Sequence, residues 1–163
     1  MVRLSTHRAV TKTVLLTAVM ALGLAGFRVS GQIRGFNGSW KLNPEKTRGP
    51  HAKREILTFR VTRDEEHYTV DEVEQDGSLF KTEYTAKFDG KDYPNHNLVT
   101  GATTYVRLKK IDDTTEELEN RDATGGPVTS KYQRVLSGDG KTITSSIIGA
   151  NGAIFSVRVF ERQ

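Results

Sequence analysis

The side chains able to attack a bond, move a proton or hold a metal are few in this 163-residue sequence. It has no Cys, which excludes a thiol nucleophile, a thiolate metal site, a disulfide framework and a lipid-modified Cys. His51, His67 and His96 have no second His or acid at a zinc spacing, so no metal ligation is expected. There is no G-x-S-x-G motif and no Ser with a His–Asp pair by motif. Asp71, Glu72, Glu74 and Asp76 alternate imperfectly along one run. They read as a solvated strand guarding against edge pairing rather than as paired carboxylates in a hydrolytic cleft. Asp89-Gly-Lys-Asp92 lacks the ligand count of a calcium loop. No catalytic residue, metal or cofactor is predicted, and the chain is expected not to be an enzyme.

The elements that would position any site are strands. Short alternating runs are cut by Asp76-Gly77, Asp89-Gly90, Asp139-Gly140 and Asn151-Gly152, which suit two-residue type I′ hairpins. Asp64-Glu65-Glu66, Asp112-Asp113 and Gly125-Gly126-Pro127 mark further reversals. The runs between them are Ser39–Asn43, Arg54–Arg63, His67–Gln75, Leu79–Phe88, Thr103–Ile111, Thr115–Arg121, Val128–Leu136, Thr142–Ile148 and Ala153–Glu161, with a short piece near Asp92–Tyr93. Eight to ten strands joined this tightly form an antiparallel up-and-down meander. Such a sheet removes its two edges by closing into a barrel, and a two-sheet sandwich is the alternative. Pro44, Pro50, Pro94 and Pro127 fall between the runs, as strand chemistry requires.

Alternation sorts the faces. Leu57, Phe59 and Val61 share one, and Phe80, Thr82, Tyr84, Ala86 and Phe88 another. Tyr105, Arg107 and Lys109 oppose Val106 and Leu108, while Val128, Ser130, Tyr132 and Arg134 line up together. In the last run Phe155, Val157 and Val159 oppose Ile154, Ser156, Arg158 and Phe160. Faces mixing aromatics, hydroxyls and Arg suit either a wet, ligand-sized interior or a half-solvated exterior.

The charge of +4 belongs to the first segment. Residues 1–31 carry Arg3, Arg8, Lys12 and Arg28 and no acid, around the apolar run Thr13–Phe27. A basic start, a short apolar stretch and small residues at Val29 and Gly31 predict a secretory signal cut after Gly31, with Ala25 or Gly26 as the rival site. The run falls short of the ~20 residues a membrane helix needs. Residues 32–163, expected to be a single exported domain, periplasmic or extracellular, keep twenty basic and twenty acidic side chains. That neutrality removes the support for nucleic-acid binding. Their apolar content, 41 of 132, is low for a dry core and suits a partly polar β interior.

Phe36-Asn-Gly-Ser-Trp-Lys-Leu42 resembles the opening strand of the calycins, the lipocalins and fatty-acid-binding proteins, in which Gly and Trp sit at the closed end of the barrel. Arg158-Val-Phe-Glu-Arg162 is similar to the R-x-Y-E-R ending of the fatty-acid-binding proteins. The chain also looks like a group of exported bacterial lipocalin-like proteins sharing a G-x-W-K-L-N start and D-G-K turns. The resemblance implies a barrel holding a small apolar or amphipathic ligand, with Gly38 and Trp40 as the structural base. It implies Arg158 as an anion anchor, although the more apolar opposite face of that run leaves an outward Arg158 open. Arg107 is a candidate second basic residue, and Tyr84, Tyr105 and Tyr132 either line the cavity or are plain strand residues. Phe160 stands where the family has Tyr, which removes a hydroxyl from the ligand site. Pro44–Lys53 is too short, with two prolines, for the family's helix-turn-helix lid. The expected function is non-enzymatic binding, with an interaction protein acting through the outside of a solid barrel as the alternative.

Overall fold

The computed structural model describes residues 35–163, and the expected signal segment lies outside them. Ten strands follow in order: β1 (Gly38–Leu42), β2 (Arg54–Val61), β3 (Glu65–Val73), β4 (Leu79–Lys87), β5 (Asp92–Asn97), β6 (Thr103–Lys110), β7 (Thr115–Arg121), β8 (Val128–Leu136), β9 (Thr142–Gly149) and β10 (Ile154–Arg162). Each pairs antiparallel with the next, and β1 also pairs with β10 through Trp40–Arg162, Lys41–Glu161 and Leu42–Phe160. The sheet is a closed all-β meander, a barrel rather than a sandwich.

The turns differ from the expected type. A type I′ turn needs positive φ at both central residues, and among the described residues only Gly adopts it. Instead Gly77 N donates to Glu74 O and Glu74 N to Ser78 O. That encloses a three-residue loop, Gln75-Asp76-Gly77, which ends in a left-handed Gly. The β9–β10 loop repeats the pattern at Gly152 and Gly149. Asp76 Oδ1 accepts from Ser78 N at 2.8 Å, so Asp serves as an acceptor in the turn and does not itself need positive φ. A second correction concerns Asp64-Glu65-Glu66. Thr62 N bonds Glu65 O, so the reversal is only Arg63-Asp64 and both glutamates already belong to β3. That register turns Glu66 into the barrel, where it is fully buried.

One end is sealed by the first residues of the barrel. Trp40 is fully buried and donates its indole N–H to Phe36 O at 2.8 Å. The Arg162 guanidinium lies 4.0 Å from the Trp40 ring centroid and donates to Gly35 O and Gly140 O. Gly38 has φ of 122°, and a Cβ there would stand 3.0 Å from Arg162 Nη1, so side-chain-free backbone makes room for the cation. Leu57, Phe59, Leu108, Leu136, Ile143 and Phe160 complete the apolar half of the interior. Gly38 and Trp40, the expected base residues, both lie at this end.

The link from β1 to β2 holds no lid. After a 3₁₀ turn at Pro44–Lys46 it runs along β10. Asn43 N bonds Val159 O, Arg48 and Val157 exchange both backbone bonds, and Ser156 Oγ donates toward Arg48 O and Pro50 O. This strap continues the seam that the five residues of β1 begin.

Candidate functional site

Above the apolar half, register places charged residues inside the barrel. Glu55 on β2 faces Glu72 on β3 directly across the ladder. Both reach Arg158 of β10, whose Nη1 donates to Glu55 Oε2 at 2.7 Å and to Glu72 Oε1 at 3.2 Å. Arg158 therefore points inward, and Phe155 of the opposite face is 59% exposed. Period-two alternation allowed either face. The strand turns its charged side in because two buried carboxylates on neighbouring strands compensate the guanidinium.

A second cluster lies deeper. Arg134 on β8, 3% exposed, donates through Nη1 to Glu116 Oε1 at 2.8 Å and to the Tyr84 hydroxyl at 3.2 Å. Tyr84 donates in turn to Glu66 Oε1 at 2.6 Å. Glu116 and Arg134 are directly opposed in the β7–β8 ladder, as Tyr68 and Tyr84 are in β3–β4. The Arg134 guanidinium also lies 4.4 Å from the Tyr68 ring centroid and 5.2 Å from that of Phe59. Buried guanidinium, aromatic faces and carboxylates are thus one network, in which low local dielectric strengthens every contact.

Four carboxyl groups meet two guanidinium groups here, and burial decides how the surplus is met. Burial, followed by the Glu116 carboxylate, pushes Glu66 well above the ordinary carboxylate value in spite of Arg134. Burial likewise raises Glu55 against the pull of Arg158. Burial, the charge of Glu55 and a hydrogen bond with it push Glu72 up to about 8. The interior accordingly approaches neutrality by retaining protons, because an unpaired buried charge is costly.

Between the clusters is a cavity of about 80 Å³, lined among others by Glu55, Glu72, Arg158, Arg134, Tyr68 and Tyr132. At ~30 Å³ per water in the liquid this holds roughly three waters, or a polar head group, and no acyl chain. Phe80, Thr82, Asn95 and Asn120 belong to the same wall. Two wall atoms are buried without a partner, Asn95 Oδ1 and Arg158 Nε. The wall residues Glu55, Glu72, Phe80 and Asn120 mark the end of the barrel away from Trp40, where the 74–78, 98–102, 122–127 and 150–153 loops lie. Exposed apolar side chains gather on that rim: Leu79, Leu98, Val99, Ile154 and Phe155, with Phe80 half in and half out.

The predicted positions divide clearly. Arg158, Tyr84 and Tyr132 face the cavity. Phe160 is buried in the apolar half instead. Arg107 and Tyr105 are corrected: they lie on the outer wall, because Val106 and Leu108 of the same strand take the inside. There Arg107 pairs with Asp92 at 3.0 Å, and Asp92 also accepts from Gly125 N at 2.7 Å. The acidic run is corrected as well. Asp71 is outside, bound to Arg54 at 2.6 Å, whereas Glu72 is inside and belongs to the site. The residues missed were Glu55, Glu66 and Glu116 as charged interior groups, while Arg134 lies on the Tyr132 face that alternation leaves open between interior and exterior. Their signal was available, since Glu55 continues the Leu57–Phe59 face and Glu116 that of Leu118.

No three His, Asp or Glu side chains among the described residues come together to hold a metal. Compared with protein-family models the chain matches none, and no curated protein matches it. The closed ten-strand antiparallel barrel is compatible with a calycin-like fold, and the likeness rests on that architecture and the two terminal motifs.

Proposed function

We propose that this barrel is an exported, non-enzymatic binding protein for a small amphipathic molecule, with residues 1–31 as its signal. The ligand's polar head enters the cavity between Arg158, Glu72 and Tyr132, and its apolar part rests on Phe80 and the rim. The observation that carries the reading is a polar cavity at the end of a barrel whose rim exposes Leu79, Leu98, Val99, Ile154 and Phe155. Partition of apolar surface onto that rim supplies about 25 cal/mol per Å² buried, and the head supplies orientation. Arg158 does not act as a free anion anchor in this scheme, because both neighbouring carboxyl groups hold it.

One observation favours a second reading. The cavity of about 80 Å³ lies well below the ~300 Å³ at which ligand pockets begin, which suits a barrel acting through its rim and outer wall. Native mass spectrometry of the purified protein separates the two. A carrier should show a mass excess that is lost on collisional activation, and a fluorescent amphiphile should bind it saturably. Absence of both results supports the interaction protein.

A further inference from the structure

The ligand class follows from the charge balance inside the barrel and from which wall atoms are already engaged. Glu55, Glu66, Glu72 and Glu116 outnumber Arg134 and Arg158 two to one. Nη1 of Arg158 is held by Glu55 and Glu72, and Nη1 of Arg134 by Glu116 and the Tyr84 hydroxyl. A ligand carboxylate would add a further negative charge to an interior that already holds more acids than bases. A cation would correct the imbalance and let one carboxyl group ionise. Asn95 Oδ1, buried on the cavity wall with no donor, adds an acceptor for an N–H group. Tyr132 and Phe80 add ring faces, which attract ammonium groups.

We propose that the cavity selects a protonated amine as the ligand's head group, placed against Glu72 and Asn95, and that its binding releases a proton from the two carboxyl groups that face each other at Arg158. This rests on the carrier reading above and names its ligand. The proton balance is simple: the ammonium keeps its proton, a carboxyl O–H of the pair ionises, and that proton leaves to solvent. Several groups set how readily this happens. Arg158 from β10 and Arg134 from β8 favour ionisation, while Glu74 in the loop after β3 and the burial of the pair oppose it. Tyr132 from β8 stays protonated because burial raises it. Arg158 Nε offers the opposite chemistry, an N–H for an anion, so a carboxylate probe belongs in the test.

The experiment is calorimetric titration of the protein with octylamine, octanol and octanoate, three probes with one tail and different heads. Octylamine should bind about tenfold or more tightly than the other two, as a charge-assisted hydrogen bond in a buried site warrants. Comparison of buffers with different ionisation heats should show about one proton released per amine near pH 7. Amine affinity should rise as the pH approaches about 8, where Glu72 no longer retains its proton. Glu72→Gln should abolish both the preference and the proton release, and Glu55→Gln serves if that variant fails to fold. Octanol or octanoate binding as tightly as octylamine overturns the amine assignment and leaves the carrier reading standing. Failure of all three to bind overturns both.

Discussion

Arg134 is held from several sides, by Glu116, by the Tyr84 hydroxyl that bridges to Glu66, and by the rings of Tyr68 and Phe59. Removing the guanidinium leaves Glu116 buried and uncompensated, and breaking a buried pair from one side costs more than the pair itself contributes. Arg134→Met should therefore lower stability by about 3–5 kcal/mol in urea denaturation. A loss below about 1 kcal/mol would mean that the carboxyl groups do not need it. Glu66→Gln is the informative partner. Glu66 holds its proton because burial and Glu116 raise it, so the neutral amide should cost far less than Arg134→Met. If the two losses were equal, Glu66 would have to be ionised in the fold.

At the scale of elements, barrel closure depends on a short contact. β1 meets β10 through three register pairs, and the strap from Asn43 onward extends the seam by Asn43–Val159 and Arg48–Val157 bonds. Gly49 lies at the tightest point of the strap. Its φ is +81°, and a Cβ there would approach Phe155 O to 2.6 Å, so the backbone would have to move. Gly49→Ala should cost about 1–3 kcal/mol and loosen the Arg48–Val157 pairing, seen as faster amide exchange at Val157. Gly77→Ala is the control, since a Cβ there meets nothing within 4 Å and only its φ of +88° opposes it. Equal losses would remove the crowding explanation. Most strand runs were legible, because alternating apolar residues and turn residues bracket them, whereas β5 lacks that alternation, extends past the expected Asp92–Tyr93 piece to Asn97 and carries Pro94, which was expected between the runs. Turn type was less so: Asp-Gly is compatible with several loop lengths, and hydrogen bonding across the pair selects among them.

The whole molecule carries two opposed sets of acids, and pH should reveal them. Burial raises Glu55, Glu66 and Glu72 above their unfolded value of 4.5, and Glu72 reaches about 8. Their contribution is fully present below pH 4.5 and is lost as pH rises through their raised values, which for Glu72 is about 8. Surface acids behave in the other sense. A hydrogen bond from Gly125 lowers Asp92, and partners at Ser137 and Lys46 lower Asp139 and Glu161, so their contribution is lost in strong acid. Stability should peak in mildly acidic solution and fall by a few kcal/mol, on the order of magnitude that linkage allows, between pH 5 and pH 8. Urea midpoints across that range measure it, and Glu72→Gln should flatten part of the slope. Midpoints that rise toward pH 8 would show the interior carboxyl groups to be ionised and well solvated.

The sequence by itself determined the strand content, the meander and the two ends that close it, because alternation and turn residues are local and repeat at every hairpin. Only the tertiary structure decided which charges lie inside. A period of two divides Arg107 from Val106, Glu72 from Asp71 and Arg158 from Val157 without saying which member faces the axis. That choice depends on partners supplied by other strands. Arg158 turns inward to meet Glu55 and Glu72, from residues 103 and 86 positions away, whereas Arg107 stays outside with Asp92. Compensation of a buried charge is a property of the closed barrel, and no single strand contains it.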